Sequence, residues 1–282
     1  MQHIFLGTLS LYEIFAYFFL YSFLGWVAEV AFHAITVGKF VNRGFLNGPV
    51  CPVYGVGVVV ILLILGPYVE KAWLVFLVGI ALPTLIELVT GWALETFFHN
   101  KWWDYSSRKF NFKGYICLEF SLLWGLAVLF VVEVVHPGIR WLAGLCGEVL
   151  GTVLVALCLA ALVADCVVTV LQVLKLNRKL KEIDKLAEKM RLGSDLIGEK
   201  ISDVTISAEK KVLRAKEKID EKVDSIVSRM PQRLLKAFPH LTSKRNSSSL
   251  PLAKESMERL KKKEKGTRAT IREECTAEKE EK

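Results

Sequence analysis

The sequence predicts an all-α fold: a polytopic membrane bundle of about five transmembrane helices, two parallel-repeat helix pairs plus one, followed by a long cytoplasmic helical tail. Three observations predict it. Charge is segregated, with 8 Lys/Arg and 10 Asp/Glu in residues 1–174 (net −2) against 29 and 19 in residues 175–282 (net +10). Apolar runs cover about 14–37, 50–66, 72–98, 115–135 and 149–174, each near the roughly 20 residues that cross a hydrocarbon core about 30 Å thick. The chain also matches itself at an offset of 66 residues.

The predicted domains are a transmembrane domain over 1–174, a long amphipathic or coiled-coil helix over 175–230, and a basic flexible tail over 231–282. Such segregation excludes an ordinary soluble domain, a disordered chain and a small disulfide scaffold. The six cysteines lie mostly inside apolar runs and lack metal-finger spacing; they read as reduced thiols. No basic region precedes the first run and no small-residue cleavage site follows it, so the first span is expected to be retained.

Orientation follows from the short loops, because Lys and Arg accumulate on the cytoplasmic side. Lys39, Arg43, Lys101, Arg108, Lys109 and Lys113 occupy one set of loops, and only Lys71 and Arg140 the other. The expected protein is a multi-pass plasma membrane protein with its N-terminus outside and its tail in the cytoplasm. Residues 136–148, opening with Pro137 and Gly138, are too short to cross and are expected to form an external interfacial turn.

The 66-residue offset aligns Gly25, Trp26, Glu29, Phe32, His33, Gly48 and Cys51 with Gly91, Trp92, Glu95, Phe98, His99, Gly114 and Cys117, seven identities in 27 ungapped positions. Average composition supplies roughly two. Parallel repeats occur in some transporters with sites between the related halves; the plainer reading is a helix pair duplicated for packing alone.

Glu29 and His33, like Glu95 and His99, are four residues apart and share a helical face. Cys51 and Cys117 open the returning helices. Imidazole and thiolate together suit a transition metal, so Cys51, Cys117, His33 and His99 form a candidate metal set. The alternative is local pairing of each Glu with its His, each Cys packing as a small apolar group. Glu87, Glu119 and Asp165 lie deepest in the runs, and with Glu29, His33, Glu95 and His99 they form a candidate cation pathway. Ionisable groups in lipid usually face an aqueous cavity or the bundle interior; protonated carboxyls bonded between helices would meet the same requirement. An acidic interior favours a cation, an amine or a proton.

The loop GKFVNRGFLNGPVCP carries Arg43, Gly44, Gly48, Pro49 and Pro52, turn-forming residues that read as a gating or re-entrant loop. Its counterpart NKWWDYSSRKFNFKG is aromatic and basic, suited to anchoring at an anionic lipid surface.

The strings YSFLGWVAEV, NRGFLNGPVCPVYGVG and GWALETFFHNKWWDYSSRKFNFKGYICLEFSLLWG resemble the CmpB-type family of ABC transporter permeases over about residues 10–175. The resemblance implies an integral membrane permease component served by a separate ATPase subunit. The chain has no Walker A sequence; GSDLIGEK from Gly193 lacks the Gly-Lys-Ser/Thr end that cradles phosphate. The Glu-Ala-Ala loop of many ABC permeases is also missing from the sequence.

In the tail, Leu186, Met190, Gly193, Ile197, Ile201, Val204, Ala208, Val212, Ala215, Ile219, Val223, Ile226 and Met230 fall in steps of 4, 3 and 4. An eleven-residue period keeps one stripe nearly straight on a helix. Residues 186–230 carry 10 basic and 9 acidic side chains, a balance that favours helix pairing, including a homo-oligomer, over a lipid-binding face. The basic end lacks an aromatic platform or a recognisable module, so nucleic acid is not an expected partner.

The leading functional expectation is a permease component that moves a small polar or cationic solute, non-enzymatic and without a cofactor of its own. The alternatives are an ATPase-independent proton- or cation-coupled transporter, and a membrane scaffold or sensor acting through its tail.

Overall fold

The computed structural model describes residues 5–6, 9–65, 70–198, 206–243 and 248–280. Helix α1 (Leu11–Val37) starts at a capping box: Ser10 Oγ accepts from the Glu13 backbone N–H, and Glu13 turns back to the Ser10 N–H at 2.8 Å. This satisfies two of the helix's orphan donors and occupies the Glu13 carboxylate. The helix stops where Gly38 adopts φ 71°, a left-handed conformation that glycine takes without a Cβ penalty.

Helix α2 (Pro52–Leu65) begins on proline, whose missing N–H costs nothing in a first turn. Its 14 residues extend about 21 Å, less than a full hydrocarbon core. Helix α3 (Ala72–Phe98) carries Pro83 in its interior. Helix α4 (Leu118–Phe130) leads into a π turn over Val131–Val135 and then into α5 (His136–Leu145). Helix α6 (Glu148–Gly198) is 51 residues long.

One sequence expectation is met in part here and another changes. Among the described residues four stretches are long and apolar enough to cross a membrane, Leu11–Val37, Ala72–Phe98, Leu118–Leu145 and Val149–Lys189, while the second expected span is the shorter α2. Residues 136–145 continue the preceding helix instead of forming a turn. The π turn explains why Pro137 does not end it. The His136 N–H reaches back five residues to the Val131 carbonyl, and this widened turn accommodates a ring that would clash with a regular i−4 carbonyl.

Within this bundle α1 packs on α2, and α3 on both α2 and α4. Small residues bring the backbones together, as membrane helices require. A Cβ on Gly125 would lie 2.9 Å from the Phe76 ring. Two apolar clusters result, one of Tyr17, Tyr21, Val59, Leu62, Ile139 and Ala143, the other of Ile61, Leu65, Val75, Val128 and Val132.

The chain divides into two compact units, Met1–Gln172 with Lys236–Thr242, and Val173–Leu235 with Ser243–Lys282. The second contains helices α7 (Ile206–Ser228) and α9 (Ser249–Glu280); α8 (Gln232–Ala237) crosses the boundary. Helices α7 and α9 pack together, with Val223, Val227, Ala253 and Met257 buried. Their contact is fixed by Arg259, which donates to Asp220 at 3.1 Å and Asp224 at 3.3 Å, and by the Ser256 hydroxyl, which donates to Asp224 at 2.6 Å. Burial opposes ionisation of Asp224, but the Ser256 and Arg259 donors and the Lys263 charge outweigh it and hold its carboxyl below the ordinary range.

Residues 249–280, expected to be flexible, are therefore helical. Leu250, Ala253 and Met257 recur at helical spacing and are buried, and this short stripe is offset by the surrounding charge in any composition average. The stripe members Ile201 and Val204 lie outside the described residues.

Candidate functional site

The carboxylates of α1 and α3 project from a recurring local pattern. Gly25 and Glu29 share one face of α1; Gly91 and Glu95 share one face of α3. On each face an aromatic ring lies over the glycine and a phenol reaches the glutamate. Tyr54 Oη donates to Glu29 Oε1 at 2.6 Å, and a Cβ on Gly25 would strike the Tyr54 ring. Tyr115 Oη donates to Glu95 Oε2 at 2.6 Å, and a Cβ on Gly91 would lie 3.0 Å from the Tyr115 ring. The tyrosines themselves are 61 positions apart, so they are not counterparts at the 66-residue offset. Burial and the Glu95 hydrogen bond push the Tyr115 hydroxyl up to about 12, which keeps it protonated as a donor.

The Glu29 arrangement extends further. The Tyr54 ring meets the Trp124 ring edge-on at 5.6 Å. Trp124 Nε1 donates to Glu87 Oε2 at 3.3 Å, and Tyr105 Oη donates to Glu87 Oε1 at 3.0 Å. Arg43 Nε stands 3.9 Å from Glu29 Oε2. Glu29, Tyr54, Trp124, Glu87 and Tyr105 thus form a connected polar strip among apolar helices. Carboxylates withdrawn from water persist only when hydrogen-bonded or paired, and these two, half-buried, each have two partners among the described residues.

The remaining predicted residues are distributed differently. Asp165 on α6 holds the loop before α2: its Oδ2 accepts from the Gly48 N–H at 2.7 Å, and its Oδ1 accepts from the Asn47 N–H at 3.1 Å and the Asn47 Nδ2 at 2.8 Å. Thr169 Oγ1 accepts from the same amide at 2.9 Å. Glu119, at the start of α4, is exposed and pairs with Arg108 Nη1 at 3.1 Å. Pro49 is exposed, whereas Gly44 is buried. Among the described residues Glu29 meets Tyr54 and Arg43 and does not meet His33. His99 closes α3 with φ 60°, its N–H donating to the Glu95 carbonyl. Cys51, Cys117, Cys146, Cys158 and Cys166 are free thiols. No three His, Cys, Asp or Glu side chains among the described residues come together as a metal set. The four residues Cys51, Cys117, His33 and His99 therefore do not converge on one ion.

The loop before α4 folds on itself. Residues 111–112 pair antiparallel with 116–117, and Trp103 Nε1 donates to the Tyr115 carbonyl at 2.9 Å. Burial works against ionisation of Asp104, but the Ser106 hydroxyl and N–H and the Lys101 charge prevail and lower its carboxyl. Phe110 and Phe112 remain exposed, at 81% and 53%.

Residues 16–170, which span every element of this network, match the family described as putative ABC-transporter type IV. The chain belongs to that family. It is a membrane protein by that membership and by the four long apolar helical stretches among the described residues. No curated protein and no solved structure matches it. The matched region covers the polar strip of this type IV family member and leaves the tail outside.

Sequence reasoning found Glu29, Glu87 and Glu95 and missed Tyr54, Tyr105, Tyr115 and Trp124. A usable signal existed, since Trp and Tyr inside a membrane bundle seek a partner for their N–H or O–H, and acidic residues in the same runs are the natural acceptors.

Proposed function

We propose that this type IV family member is the membrane-embedded permease component of an ABC-type transporter, and that its polar strip receives a small cationic or protonatable solute. The observation that carries this reading is the strip itself: Glu29 and Glu87 on one connected network of Tyr54, Trp124 and Tyr105, with Arg43 beside Glu29. Two carboxylates facing one guanidinium leave a site that favours positive charge. Phenol and indole donors hold the carboxylates in place, and these bonds can be exchanged for contacts to a passing solute.

The full reading includes five crossings, with α2 as the second. The N-terminus lies outside and the tail lies in the cytoplasm of a plasma membrane protein. A separate ATPase subunit supplies the energy, and the protein is not itself an enzyme. Glu95, the counterpart of Glu29 in the duplicated helix pair, forms a second station with Tyr115.

The test is uptake into vesicles reconstituted with the chain and its ATPase partner, using a panel of metal cations, amines and protons. Glu29→Gln and Glu87→Gln are expected to lower flux by at least about tenfold, the scale on which one lost charge-assisted contact of roughly 1.5 kcal/mol acts, while membrane insertion is retained. Unchanged flux removes both residues from the mechanism. Flux that persists without any ATPase favours a proton- or cation-coupled transporter.

A second reading is favoured by the tail, whose α7 and α9 bury a core of their own: a membrane scaffold or sensor acting through that unit. Removing residues 186–282 abolishes the output of a scaffold, whereas a transporter keeps measurable flux.

A further inference from the structure

Seven residues of the tail pack with the membrane unit. Lys236–Thr242 belong to that unit, although the chain on either side of them belongs to the other. Within the segment Ala237 is fully buried and Leu241 nearly so, and the Leu241 N–H closes a turn on the Phe238 carbonyl at 3.0 Å. The Phe238 ring stands edge-on to Trp102 at 4.9 Å, and Trp102 stands edge-on to Phe45 at 5.0 Å. Trp102 is only 3% exposed. Edge-to-face aromatic pairs of this kind are worth about 0.5–1.5 kcal/mol beyond their area.

Arg43 joins this aromatic group to the polar strip. Its Nη1 donates to the Ala237 carbonyl, its guanidinium lies 5.6 Å from the Phe238 ring centroid, and its Nε lies 3.9 Å from Glu29 Oε2. A guanidinium is a rigid planar fork, so fixing one edge of it fixes the direction of the other. The carbonyl and the ring hold one edge, and the free edge faces Glu29 at a distance longer than a hydrogen bond.

We propose that residues 236–242 form a strap that makes Arg43 a positioning residue: seated on Phe238 and Ala237, Arg43 is held back from full pairing with Glu29, and release of the strap lets it close on that carboxylate. The tail thereby governs how available Glu29 is to a solute. This proposal rests on the reading of Glu29 as part of a solute site, but the strap's effect on the loop is measurable without transport.

Cys51, half-buried and anchored to α1 by its N–H on the Ser22 carbonyl at 2.9 Å, reports on the same loop. The probe is a methanethiosulfonate reagent on the full-length chain in lipid nanodiscs, with Cys51 as the one remaining cysteine. Phe238→Ala is expected to raise the labelling rate by about threefold or more, and the rise should vanish in an Arg43→Gln background, the non-additivity expected of residues that act through one another. A rate unmoved by Phe238→Ala overturns the strap. An equal rise in both backgrounds also overturns it, because Phe238 would then act by simple covering. Should Phe238→Ala fail to give a monodisperse protein, Phe238→Leu keeps the apolar fill, removes the ring contacts and carries the same two expectations. If Glu29→Gln leaves flux intact while the coupling holds, the transport reading fails and the strap stands; the reverse result sinks the strap alone.

Discussion

The Tyr54 hydroxyl donates to Glu29 Oε1 across 2.6 Å and ties α2 to α1 at the one place where α1 carries a glycine under the ring. Hydroxyl and glycine act together. Without the glycine the ring could not approach, and without the hydroxyl the carboxylate would lose its shortest partner. Tyr115, Glu95 and Gly91 repeat the arrangement between α3 and the segment that enters α4.

The first prediction separates space from backbone conformation. Gly25→Ala places a Cβ against the Tyr54 ring and is expected to destabilise the bundle by about 1–3 kcal/mol, the cost of overpacking. Gly38→Ala meets no atom within 4 Å but must hold φ 71°, for a cost of roughly 1–2 kcal/mol. Thermal unfolding in detergent compares the two, and in Gly25→Ala alone the Tyr54–Glu29 contact should be displaced, as read by the fluorescence of neighbouring Trp124.

The second concerns Tyr54→Phe. The ring and its packing remain, while Glu29 keeps only the longer Arg43 contact. Losing one partner of a buried polar group costs about 1–3 kcal/mol. The measurement is the shift of the same unfolding transition, and a shift no larger than that of a surface substitution refutes the role.

A third addresses the loop anchor. Asp165→Asn keeps the size of the side chain but replaces one acceptor oxygen with a donor that faces the Gly48 or Asn47 N–H. Hydrogen exchange at the amides of residues 47 and 48 should accelerate by about tenfold or more, equivalent to roughly 1.4 kcal/mol of lost protection. Exchange as slow as in the parent would show that the loop holds itself.

The fourth is a pH dependence in the tail. Asp224 is held below its ordinary range by Ser256, Arg259 and Lys263 against the opposing effect of burial. The unfolded chain therefore binds this proton more readily, so the stabilisation is complete above the unfolded value, near pH 4, and is lost as pH falls through the lower folded value. Circular dichroism melts of the full chain between about pH 2 and 6 should show the tail's transition falling with acid. In Asp224→Asn that part of the fall should disappear.

Part of the candidate site was legible before the fold. An acid inside an apolar run stands out because its transfer cost is large, and Glu29, Glu87 and Glu95 were found on that ground. Their partners were not, because a tyrosine or tryptophan in such a run adds to the hydropathy that defines it. Asp165 was placed in the pathway by depth alone; its loop partner Asn47 is 118 residues away, and no periodicity reports such a distance. The expected turn at Pro137 failed for a related reason: proline forbids a regular i−4 bond, but a widened turn upstream removes the conflict.

The sequence by itself determined that this chain enters a membrane, where its apolar helices begin to within a few residues, and which family it resembles, because hydropathy is summed locally along the backbone and does not need the fold. Tertiary structure decided what each buried charge touches: Glu29 a phenol and a guanidinium, Asp165 a loop, Asp224 a second helix of the tail. A buried polar group is stable only beside a matching donor, and which donor arrives depends on how helices far apart in sequence come to lie side by side.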